Sequence, residues 1–109
     1  MPAPAWVALP PGPSGSAAAA ELAIPRAYGS YEELIADADI DAVYIPLPNH
    51  LHVPWSIRAA KAGKHVLVEK PMCFSVAEGL EMKAAADEAG VTLMVAYPKR
   101  YDPAFERFR

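Results

Sequence analysis

Short apolar runs alternate along this chain with longer segments of helical periodicity, and the alternation lays out an α/β fold. Ala42-Val43-Tyr44-Ile45, His65-Val66-Leu67-Val68-Glu69 and Thr92-Leu93-Met94-Val95-Ala96 are rich in β-branched and aromatic residues and bounded by turn formers. Such runs read as buried strands. Ser30 and Glu33 form a capping box for a helix to about Ala38, with Leu34 and Ile35 inward. Ser75 and Glu78 form a second box, for a helix to about Ala89 closed by Gly90. Pro54 suits the first turn of a helix running to Ala62, with Gly63 as its C-cap. Upstream, Ala17–Leu22 is helix-prone and stops before Pro25, and Arg26–Gly29 reads as a short strand.

Strands separated by helices of roughly 10–15 residues imply βαβ units and a parallel sheet. Their C-termini then share one edge, with neighbouring strands ~4.8 Å apart. Pro46–His52, Glu69–Pro71 and Tyr97–Arg100 meet there and bring Asn49, His50, His52, Glu69, Lys70, Tyr97, Lys99 and Arg100 together. That is the edge at which open parallel sheets bind ligands.

Composition adjusts this picture at the N-terminus. Five of the twelve prolines fall in Met1–Pro13, followed by Ser14-Gly15-Ser16. Residues 1–16 are therefore expected to form a disordered or loosely draped tail without regular backbone pairing. The first basic residue is Arg26, so the tail lacks the positive region of a signal peptide. The 109 residues, 53% hydrophobic and 21% charged, suit one small globular domain. A net charge of −3 with no basic face argues against nucleic acid. No apolar run approaches the ~20 residues of a membrane span. The single cysteine, Cys73, excludes an internal disulfide and fits a reducing cytoplasm. As chemistry Cys73 could be a nucleophile, but a small buried hydrophobe is the simpler reading.

The chemistry concentrates at Glu69-Lys70-Pro71. Pro71 cannot donate to a sheet ladder and pushes Lys70 toward extended geometry, so Glu69 and Lys70 sit where the strand ends. Lys70 could form a Schiff base, pair with an anion, or donate to a substrate oxygen that gains negative charge. A Schiff base needs a desolvated lysine, whereas adjacent Glu69 favours the charged form. Donation to a developing alkoxide suits redox chemistry at an alcohol or carbonyl. His50 and His52, with His65 or Glu69, are the one pattern suggesting a metal. Their spacing in a proline-bounded loop is not a compact ligand pair, and no metal is expected. His65 reads as a satisfied structural histidine, and Asn49 as either a ligand contact or a turn former.

Two stretches carry a resemblance. Asp41-Ala42-Val43-Tyr44-Ile45-Pro46-Leu47-Pro48-Asn49-His50-Leu51-His52 and Ala62-Gly63-Lys64-His65-Val66-Leu67-Val68-Glu69-Lys70-Pro71 resemble the Gfo/Idh/MocA oxidoreductases, over about Ala17 to Arg109. The resemblance implies a partial Rossmann-type parallel sheet with flanking helices. Residues 17–97 would be the C-terminal part of a dinucleotide-binding domain, and 98–109 the start of a truncated substrate domain. It implies NAD or NADP as cofactor and a sugar, cyclitol or related polyol as substrate. Pro46, Asn49, His52, Glu69 and Lys70 would line the cofactor. Lys70 would be catalytic and touch the substrate, with Lys99 and Arg100 as further substrate contacts. It also favours a cis Lys70-Pro71 bond, aiming Lys70 into the cleft.

The departures from the family pattern are equally specific. The six glycines contain no G-x-G-x-x-G, so the first βαβ nucleotide-binding unit and its pyrophosphate site are lacking. The family's downstream D-x-x-x-H motif is also absent. The expectation is a fragment of a longer, homo-oligomeric oxidoreductase, inactive as this chain alone. The rival readings are a partial Rossmann module that binds a partner chain or nucleotide weakly, and a lysine-dependent aldolase.

Overall fold

Apolar residues at alternate positions, such as Val43 and Ile45 or Val66 and Val68, give a strand one face that excludes water, and helices cover that face. The computed structural model describes residues 6–7, 28–97 and 103. Within them β1 (Trp6–Val7), β2 (Ala42–Ile45), β3 (His65–Glu69) and β4 (Leu93–Ala96) form one sheet in the order β1-β2-β3-β4. Every adjacent pair is parallel. Val43, Val66 and Leu93 align across the sheet, as do Ile45, Val68 and Val95. These two rows share a face because side chains alternate along a strand. Val43, Ile45, Val66 and Val68 are buried in the core with Leu34, Ile40, Ala59 and Met82. Fully burying a side chain such as Val68 contributes roughly 1.5–3 kcal/mol.

Three helices follow the capping signals. Helix α1 (Tyr31–Ala36) is capped by Ser30, whose hydroxyl accepts from Glu33 N at 3.2 Å. Helix α2 (His52–Lys61) continues from a 3-10 turn over Asn49–Leu51 and holds Pro54 in its first turn. Helix α3 (Val76–Ala89) is capped by Ser75 and ends at Gly90, whose φ of 70° lies in the left-handed region that glycine adopts without penalty. Helices α2 and α3 pack on each other, and α2 lies on β3. The α2 stripe facing inward is His52, Ser56, Ala59 and Ala60, of which the last three are small enough to let the helix approach the sheet closely.

Two expectations change. Residues 1–16 were expected to lack regular pairing, yet Trp6 and Val7 pair with Ala42 and Val43. Ala5–Leu9 is a proline-free stretch, and Trp and Val favour extended backbone beside the edge that β2 offers. The rest of that segment, the Ala17–Leu22 helix, and Arg26 and Ala27 of the expected strand lie outside the described residues. Tyr28 and Gly29 form no strand. Local bonds take them instead: the Tyr28 hydroxyl donates to Asp37 and Gly29 N to Glu33 Oε2 at 2.9 Å.

Candidate functional site

The strand ends form the site because β2 and β3 stop together. Ile45 pairs with Val68, so Pro46 and Glu69 are the next residues out on neighbouring strands. Beyond β2, Pro46 and Pro48 block further ladder bonds and the chain turns through Asn49–Leu51 into α2. Pro46, Asn49 and His50 are exposed on this turn. Beyond β3 the chain turns at Lys70-Pro71, whose peptide bond is cis.

Glu69 is half-buried, and both of its oxygens are engaged. Oε1 accepts a hydrogen bond from the Tyr44 hydroxyl, and Oε2 accepts from the Lys70 backbone N–H at 3.2 Å. That bond raises the Tyr44 phenol above its ordinary value of 10.0, with burial and the carboxylate's charge adding to it. The contact follows from register. Tyr44 lies opposite Leu67, so it shares a face with Glu69 two residues further on.

His52 is 1% exposed, and both ring nitrogens meet backbone carbonyls. Nδ1 is 2.7 Å from Pro71 O, and Nε2 is 2.8 Å from Leu47 O. Both ring nitrogens of His52 are thus turned to backbone and not to a cofactor, and a neutral ring donates its single N–H to one of the two strand-end turns between which it is buried. Lys70 is exposed, and its ammonium has no partner among the described residues. Tyr97 is exposed beyond β4. Lys99 and Arg100 lie outside the described residues.

The remaining residues of the A-G-K-H-V stretch hold the fold. Lys64 is 5% exposed, and its ammonium donates to Asp37 O and Ile40 O, each at 2.7 Å. His65 Nδ1 accepts from Thr92 N at 3.0 Å and ties β3 to the start of β4. Among the described residues no three His, Cys, Asp or Glu side chains are grouped to hold a metal ion. Tyr44 and Lys64 were not singled out from the sequence. The signal for Tyr44 was a lone hydroxyl within an apolar strand, which must find a partner when it is covered.

The fold is one that solved proteins share. Residues 7–97 match the family model described as an oxidoreductase family with an NAD-binding Rossmann fold. The chain belongs to the Gfo/Idh/MocA oxidoreductases. Gfo/Idh/MocA proteins of similar sequence include D-xylose 1-dehydrogenase (NADP(+)) 2 of Haloferax volcanii, 54% identical over 84% of this chain and 28% of that one. Mouse trans-1,2-dihydrobenzene-1,2-diol dehydrogenase is 46% identical over 79% of this chain and 26% of its own. Among solved structures, KijD10, a 3-ketoreductase of Actinomadura kijaniata in complex with TDP-benzene and NADP, superposes with a TM-score of 0.73. It is 37% identical and matches 76% of this chain and 26% of its own. The chain thus spans about a quarter of the length of these Gfo/Idh/MocA relatives.

Proposed function

We propose that this chain is the part of an NAD(P)-dependent oxidoreductase that presents Lys70 to the reacting oxygen of a sugar, cyclitol or related polyol. The observation that carries this reading is the exposed Lys70 ammonium, without a partner among the described residues, at the C-terminal edge of a parallel sheet, on a backbone held at Lys70 N and Pro71 O. A bound nicotinamide would take or supply the hydride. Lys70 donates a hydrogen bond to the substrate oxygen and stabilises the negative charge that grows there, the hydroxyl proton passing to solvent water on oxidation and returning from it on reduction. Pro46 and Asn49 border the cofactor from the β2 side. Glu69 acts beneath Lys70 rather than on the ligand, and Lys99 and Arg100 supply further substrate contacts.

These residues fit the nicotinamide end of a dinucleotide, where exposed donors and acceptors are needed. They contain no glycine-rich turn to receive the pyrophosphate. The 109-residue chain alone is therefore not a competent enzyme. The substrate class draws support from relatives named for D-xylose and 1,5-anhydro-D-fructose. The single cysteine supports a reducing, cytoplasmic setting. In a full-length form carrying this segment, Lys70→Met lowers kcat about 100-fold, roughly 3 kcal/mol, while cofactor affinity stays within about threefold. Unchanged turnover refutes the assignment.

A further inference from the structure

We propose that Tyr44 and His52 are positioning residues that fix the backbone on either side of Lys70, and so set where its ammonium is presented. The inference rests on the proposed role of Lys70 and adds two residues to it. A lysine reaches its target on a flexible four-carbon stem, and an exposed stem has little to restrain it. Its point of attachment is what the protein can hold.

The upstream hold runs from β2 through a carboxylate. Tyr44 donates to Glu69 Oε1, and Glu69 Oε2 accepts from Lys70 N at 3.2 Å. With one oxygen anchored, the carboxylate stays where Lys70 N can reach it. The downstream hold is the His52 ring, 1% exposed, with Nδ1 2.7 Å from Pro71 O and Nε2 2.8 Å from Leu47 O. In either neutral tautomer the ring N–H serves one of the two carbonyls, and a ring protonated on both nitrogens serves both. Both holds lead back to the same place. Tyr44 is on β2, Leu47 lies in the turn just after it, and His52 opens α2. Lys70 is thereby tied to the turn that carries Pro46 and Asn49, so the proposed substrate-facing and cofactor-facing groups keep one geometry.

Two measurements test this. In the 109-residue chain, Tyr44→Phe shifts the Lys70 backbone amide resonance and leaves those of Ala85 and Ala86 in α3 in place. An unmoved Lys70 amide overturns the proposal. Tyr44→Phe removes one oxygen from a half-buried site, so this arm stays readable even where His52→Ala fails to fold. In a full-length form carrying the segment, Tyr44→Phe and His52→Ala each lower kcat about five- to tenfold, with KM for the cofactor within about twofold. His52→Gln, which keeps an N–H donor, recovers part of the loss. Placed on Lys70→Met, Tyr44→Phe costs nothing further, because the group it positions is gone. An undiminished loss in that background overturns the proposal. If Lys70→Met alone leaves turnover unchanged, the catalytic reading of Lys70 fails, while the amide shift still judges whether the two residues hold its backbone.

Discussion

A hydroxyl on a mostly apolar strand has to find an acceptor, and Tyr44 finds the carboxylate of Glu69. Because Glu69 accepts from the neutral phenol, the Tyr44 pKa is raised in the folded state. A raised pKa means that this bond adds stability below the unfolded value near 10 and loses it as pH climbs through the folded value. Glu69→Gln should return the Tyr44 titration toward 10.0, measured as the phenolate absorbance lost on adding Tyr44→Phe to each background. A titration that does not move in Glu69→Gln contradicts the assigned cause. Lys64 is a second buried polar group, and its two carbonyl partners, Asp37 O and Ile40 O, lie in the turn between α1 and β2. Lys64→Met should destabilise the fold by about 2 kcal/mol in urea titration, since it takes the ammonium donor from the buried Ile40 O. Ser56 is the opposite case, with a buried hydroxyl that has no partner among the described residues. Ser56→Ala should raise stability by up to about 1 kcal/mol, by removing that unsatisfied group and improving helix propensity. The polar residues at the strand ends could be read from the chain, but the duties of Tyr44, His52 and Lys64 could not. Each depends on which backbone group its tip reaches.

At the scale of elements, local chemistry set the boundaries closely. The Ser75 hydroxyl accepts from Glu78 N at 3.2 Å, and the Glu78 carboxylate accepts from Phe74 N at 3.0 Å. Both bonds lie within five residues of chain, so the sequence shows them directly. Ser75→Ala should cost about 1 kcal/mol, read as a lower urea midpoint with unchanged slope. An unchanged midpoint would mean that packing of Met82, Ala85 and Ala86 alone holds α3. The docking of α1 on α2 was not visible in the same way. It uses Tyr31 edge-on to Trp55 at 5.1 Å, and Arg58 4.3 Å above the Trp55 ring while 3.4 Å from Glu32. Half-buried aromatic and exposed charged residues give no periodic signal that names their partners. Strand β1 escaped for a related reason. Two residues among prolines carry no period at all, and only the free edge of β2 selects them.

For the whole molecule, the sheet brings the strand-end turns of β2 and β3 together, and the sequence holds no G-x-G-x-x-G turn for the phosphates. Cofactor affinity in this fold leans on backbone N–H groups at such a turn. The 109-residue chain should therefore bind NAD(H) or NADP(H) weakly, with Kd of about 1 mM or above, worth no more than ~4 kcal/mol. Calorimetric titration checks this, and saturable micromolar binding would show that another part of the chain receives the pyrophosphate.

The order of β2 to β4 and of the helices between them, their parallel sense and the edge on which the polar turns gather were determined by the sequence itself. Periods of two and 3.6 residues, capping boxes and prolines act over a few neighbouring positions, and each can be read where it stands. The tertiary structure alone decided that Tyr44 meets Glu69 across 25 residues, that His52 lies under Pro71 across 19, and that Lys64 reaches Asp37 across 27. These contacts follow from strand register and from how closely α2 settles on the sheet. A shift of one residue in register would turn Tyr44 to the opposite face. No local pattern encodes that choice, because it is made by the packing of the two strands and the helix together.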